Sequence, residues 1–83
     1  MHEFSLATEI LDTALAAARE SGAGNVTAVH ITMAPTSHID GSVLADAFEI
    51  AAAGTCASEA SLDVATGDHG KGEVAVTAID VDP

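Results

Sequence analysis

The chain has 83 residues, with thirteen Asp and Glu against two basic residues, Arg19 and Lys71, for a formal net charge of −11. A charge that far negative repels polyphosphates and anionic lipid surfaces, which excludes nucleic-acid binding and docking on an anionic membrane. Hydrophobic residues make up 48% of the chain, too many for a disordered acidic tail, and the length fits one small domain over residues 1–83.

With Phe4 and Phe48 as the two aromatics and no Trp or Tyr, the core must be built from Ala, Val, Ile and Leu. The acids are spread along the whole chain and lysine is nearly absent. That pattern is expected of a protein adapted to a salty cytoplasm, where ions screen self-repulsion; attraction of cations or of a basic partner is the alternative. A single cysteine, Cys56, leaves no internal disulfide framework and no Cys-x-x-Cys zinc knuckle, and in its Ala-rich surroundings it reads as a small core hydrophobe. The first residues lack a basic region, Glu9 and Asp12 interrupt their apolar run, and no segment is long enough to span a bilayer. A cytoplasmic location is therefore expected.

Met1-His2-Glu3 opens the chain. The imidazole of His2, the free α-amine of Met1 and the backbone nitrogen between them can reach one metal ion, and an all-nitrogen, near-planar set suits Ni(II) or Cu(II). A frayed terminus is the plainer reading. From about Ser5 to Ser21 the spacing predicts a helix: Leu6, Ile10, Ala14 and Ala17 make a stripe, widened by Ala7, Leu11 and Ala18. Ser5 reads as its N-cap, Arg19 suits its C-terminal end, and Gly22 and Gly24 stop it.

Asn25 to Met33 alternates as a strand. Thr27, Val29, Ile31 and Met33 are expected to face the helices, with Val26, Ala28, His30 and Thr32 on the other side. His30 thus reads as an exposed strand histidine rather than a metal ligand. Ala34 to Ile39 is a loop opened by Pro35 and carrying His38, taken as an ordinary loop residue. Asp40 reads as the N-cap of a second helix, to about Ala53, with Val43, Leu44, Ala47, Phe48 and Ala51 as its apolar stripe. Ser61 to Ala65 is a short strand. Thr66 to Gly72 is a glycine-rich turn in which Asp68 is expected to bond its own backbone, His69 being a turn residue that could add a ligand. Glu73 to Val81 is the last strand, and its apolar alternation changes phase in a way that calls for a β-bulge near Ala78. The order α-β-α-β-β is met most simply by a two-layer α+β domain with both helices on one face of a small three-stranded sheet. Cys56, Ser37 and Ser42 sit in no nucleophile motif, and Gly67 to Gly72 matches no phosphate-binding loop, so an enzyme is not expected.

Taken together, the triplet and the two helices resemble the HypA family of nickel-incorporation proteins. The matching residues are Met1-His2-Glu3, Ser5-Leu6-Ala7, Ile10-Leu11, Val26-Thr27 to Ile31, Asp40, Ala47-Phe48-Glu49, Gly54-Thr55, Ala60 to Val64, and Glu73-Val74 through Ile79-Asp80-Val81. The resemblance implies a metallochaperone for maturation of [NiFe] hydrogenase or another nickel enzyme. It implies Ni(II) held by His2 with the Met1 amine and nearby backbone or Glu3 groups, and a GTPase maturation partner and a nickel-enzyme precursor as partners; a homodimer is one assembly open to it. The family carries a zinc lobe with paired Cys-x-x-Cys motifs between its second and third strands. Here that place holds only Thr66 to Gly72, so no zinc is expected. The strand-to-helix loop also departs, with Ala34-Pro35 where the family usually has Gly-Glu. The alternative function is a metal-free protein-interaction module on the same fold.

Overall fold

The computed structural model describes residues 2–68 and 73–82, His2 by its backbone alone. The elements are α1 (His2–Ser21), β1 (Asn25–Met33), α2 (Gly41–Ala52), β2 (Ser61–Thr66) and β3 (Val74–Asp82). The expected order and the two-layer α+β architecture hold. The sheet runs β2-β1-β3, with β1 parallel to β2 and antiparallel to β3. Parallel neighbours need a crossover, and α2 supplies it between β1 and β2. The two ends of the β2–β3 connection instead lie beside the end of β1. There the Gly67 N–H donates to Met33 O at 2.9 Å and the Ala34 N–H donates to Glu73 O at 2.8 Å.

The helix ends follow local chemistry. At the end of α1 the N–H of Ala23 donates to Ala18 O and that of Gly22 to Arg19 O, with Gly22 at φ 74°. This Schellman pair needs a left-handed residue, which glycine adopts without strain. Asp40 caps α2, its Oδ1 accepting from the Ser42 and Val43 N–H groups. At the other end α1 starts at His2, earlier than the expected Ser5 cap. Nothing before Ser5 breaks a helix, and Glu3 in the first turn complements the dipole, so Ser5 is drawn into the helix interior.

The core lies between the helices and one sheet face. Phe48, Ile31, Leu44, Val26 and Val29 are its largest fully buried side chains, joined by Ala7, Ala14, Ala18 and Ala52. α1 packs on α2, β1 and β3, while α2 packs on α1 and β2. Small alanines let these helices approach closely, which replaces missing aromatic bulk.

Three further sequence expectations are corrected, the facing of Val26 and Thr27, the burial of Cys56 and the facing of Val43, while the expected bulge in the last strand is present. Val26 is buried at 2% exposure and Thr27 is exposed, the reverse of simple alternation. The register of β1 against β3 slips between Val26 and Ala28, so Thr27 is the extra residue of a bulge and Val26 swings to the helix side. The second slip, between His30 and Ile31, puts the extra residue Thr77 on β3, where a bulge near Ala78 was expected. Cys56 is exposed while Ala57 is fully buried. Thr55 Oγ1 donates to Ala52 O and accepts from the Ala57 N–H, and Cys56 O accepts the Val26 N–H at 2.9 Å. Cys56 thus joins the sheet through its backbone and Ala57 fills the core. On α2, Val43 is 44% exposed rather than inside, and Ala52 takes its place in the buried stripe.

Candidate metal site at the N-terminus

Of the three expected nickel donors, Met1 and the His2 side chain lie outside the described residues. The His2 backbone and Glu3 are described, and they form the first turn of α1. The first N–H groups of an α-helix have no acceptor within it. The backbone nitrogen of a terminal amine–amide–imidazole chelate is therefore not committed to a helical bond. The helix dipole places partial positive charge at this end, which opposes a bare cation but stabilises an amide nitrogen that has lost its proton.

Glu3 Oε2 accepts the N–H of Asp40 at 3.3 Å. The start of α1 is thereby fixed to the cap of α2. Asp40 is held below the usual carboxylate range, first by the Val43 N–H and then by the Ser42 hydroxyl and N–H. The 34–40 loop continues the same end of the molecule. Ser37 Oγ donates to Glu73 Oε2 at 3.0 Å and accepts the Ile39 N–H at 3.1 Å. His38, in this loop, is exposed, two residues from the Asp40 that Glu3 contacts. His69 lies outside the described residues. Asp68 is described and has a partner. Thus the N-terminal helix, the 34–40 loop and the start of β3 are joined by Glu3, Asp40, Ser37 and Glu73. Among the described residues no group of three or more His, Cys, Asp or Glu is placed to hold a metal by itself.

Sequence reasoning missed a second constellation on the sheet face opposite the helices. His30 Nδ1 lies 3.3 Å from Asp63 Oδ2, and His30 Nε2 lies 2.9 Å from Asp80 Oδ2. One imidazole therefore bridges all three strands. Its pKa is raised above the ordinary histidine value, first by the Asp80 hydrogen bond; desolvation opposes this, and the charges of Asp80 and then Asp63 add to the rise. Polar residues in all three strands were the available signal, but their alignment needs the register, in which His30 pairs with Asp63.

These elements define a small two-layer α+β domain of order α-β-α-β-β, opening on the Met1-His2-Glu3 sequence. The chain matches the family described as "Hydrogenase/urease nickel incorporation, metallochaperone, hypA" over residues 1–70. It belongs to the HypA family. It is 39% identical over 64 residues to the hydrogenase maturation factor HypA of Chlorobium limicola, a match covering 77% of this chain and 55% of that protein. The chain thus spans about half the length of this curated relative. The solution structure of the Ni metallochaperone HypA from Helicobacter pylori superposes with a TM-score of 0.87 at 15% identity, covering 99% of this chain and 98% of that one. At that identity the likeness is one of fold. No helix among the described residues is long and apolar enough to cross a membrane.

Proposed function

We propose that this chain, as one nickel-binding domain over residues 1–83, is a metallochaperone for maturation of [NiFe] hydrogenase or another nickel enzyme. Ni(II) is its cargo. The donors are the Met1 α-amine, His2 through imidazole and backbone nitrogen, and Glu3. The observation that supports this most directly is the family match, which begins at residue 1 and so includes the triplet. The start of α1 at His2 adds a backbone nitrogen with no helical acceptor. A set of nitrogen donors that are neighbours in the chain can be displaced stepwise by a receiving protein, as transfer requires. The recipients are a GTPase maturation partner and the precursor of the nickel enzyme, in the cytoplasm. The chain needs no zinc for this role and catalyses no reaction of its own.

The test is calorimetric titration of untagged protein with Ni(II). Binding of about one equivalent is expected, tightening as pH rises and the donors lose protons. His2→Ala should remove most of it. A short N-terminal extension should do the same with His2 intact, because it consumes the free amine. Equal binding by parent and extended protein would refute the terminal chelate. No useful binding by either would leave the metal-free interaction module as the function.

A further inference from the structure

We infer that the outer edge of β3 is a docking site for an extended, basic segment of a partner protein, which adds to the sheet as a fourth strand. β3 is a border strand of the β2-β1-β3 sheet, and among the described residues no strand lies on its outer side. The ladder shows which groups are free there. Ala34 donates to Glu73 O, and Met33 pairs with Val74, Thr32 with Ala75 and Ile31 with Val76. Hydrogen-bonded and non-bonded pairs alternate in an antiparallel ladder. Glu73 and Ala75 thus turn their backbone groups toward β1, whereas Val74 and Val76 turn theirs outward.

The same stretch borders an apolar groove of about 340 Å³ between β3 and α1, walled by Leu6, Ile10, Val74 and Val76. Val74 and Val76 are only half-buried although both pack on the core. A strand added here would make backbone bonds to Val74 and Val76, and every second side chain would enter the groove. Charge decides the occupant. Among the described residues Glu9 lines the groove and no basic side chain does, Glu73 precedes β3, and Asp80 and Asp82 lie along it. A second copy would bring the same acids and another net −11 to the edge, opposing like charges across the new ladder. A segment alternating apolar with Lys or Arg residues fits both groove and charge.

The experiment uses the whole chain, isotope-labelled for amide NMR, and two synthetic heptapeptides that alternate valine with lysine or valine with glutamate. The lysine peptide should slow exchange of the Val74 and Val76 amides, and the glutamate peptide should not. Val76→Pro removes one outward N–H at an edge position where proline is tolerated. It should weaken the lysine peptide about tenfold, roughly the loss of one backbone hydrogen bond. Glu9→Lys, on the exposed face of α1, leaves the sheet intact and should weaken the lysine peptide several-fold while admitting the glutamate peptide. Diffuse shifts at acidic residues with the Val74 and Val76 amides unprotected would overturn the proposal. So would concentration-dependent protection of those amides without peptide, which would make a second copy the occupant.

Discussion

Glu3 and Asp40 are 37 residues apart in sequence, yet the carboxylate of one accepts the backbone N–H of the other at 3.3 Å. Glu3 therefore has a structural duty beside any duty to metal. The two can be separated. Glu3→Gln keeps an acceptor oxygen for Asp40 but removes the charge, while Glu3→Ala removes both. The Gln variant should melt close to the parent, and the Ala variant lower. If Glu3 donates to Ni(II), both should bind nickel more weakly by calorimetry. A Gln variant with parental affinity would confine Glu3 to fixing the helices.

Phe48 carries more of the core than any other single side chain, being 1% exposed and the largest fully buried residue. Phe48→Ala should cost about 3–5 kcal/mol, the usual range for emptying a buried aromatic site. That is a large share of the roughly 4–12 kcal/mol expected for a domain of this length. Ile50, on the same helix but 68% exposed, is the control. Ile50→Ala should stay within about 0.5 kcal/mol of the parent. Chemical denaturation of both variants checks the facing of α2.

The features that could be read from sequence are those whose cause is local. β1 was legible over Asn25–Met33 because its apolar alternation is strong, and Asp40 because a cap bonds residues two and three places ahead. The bulge on β3 showed in the phase change between Val76 and Ile79. The bulge at Thr27 did not, because Val26, Thr27 and Ala28 are all compatible with either face. Ser5 resembles a cap but has no breaker before it. Cys56 and Ala57 compete for one core position, and the Thr55 turn decides between them. The terminal triplet could be singled out from sequence because its expected donors are neighbours in the chain; Met1 and the His2 side chain lie outside the described residues. The Glu3–Asp40 bond and the Asp63–His30–Asp80 bridge were not, since both depend on strand register and on how the helices end.

The His30 bridge gives a pH dependence with a definite sign. Its pKa is raised in the folded state, chiefly by Asp80. The stabilisation is therefore fully present below the ordinary histidine value of 6.5 and is lost as pH rises through the higher folded-state value. An NMR titration of the His30 imidazole should show a midpoint above 6.5. Asp80→Asn should lower it more than Asp63→Asn, because the hydrogen bond to Asp80 is the largest contribution. An unchanged midpoint in Asp80→Asn would mean that the bridge does not persist in solution. Nickel affinity should rise over the same pH range, so metal binding and this part of the stability run in opposite directions.

Salt should stabilise the domain. At net −11 the acids repel one another, and folding brings them closer than they are in the unfolded chain. The melting temperature should therefore climb from dilute buffer to molar KCl. The shape of the rise distinguishes its causes. The screening length is already about 10 Å at 0.1 M, so simple screening gives most of its gain below a few tenths molar. A climb that continues through the molar range marks adaptation to a salty cytoplasm. KCl and NaCl should act alike if screening dominates, whereas sulfate should add stabilisation through its exclusion from the protein surface. A flat or falling curve would refute salt adaptation. The acidity would then be explained by what it attracts, and the Glu9-lined groove beside β3 would be the first place to look for that partner.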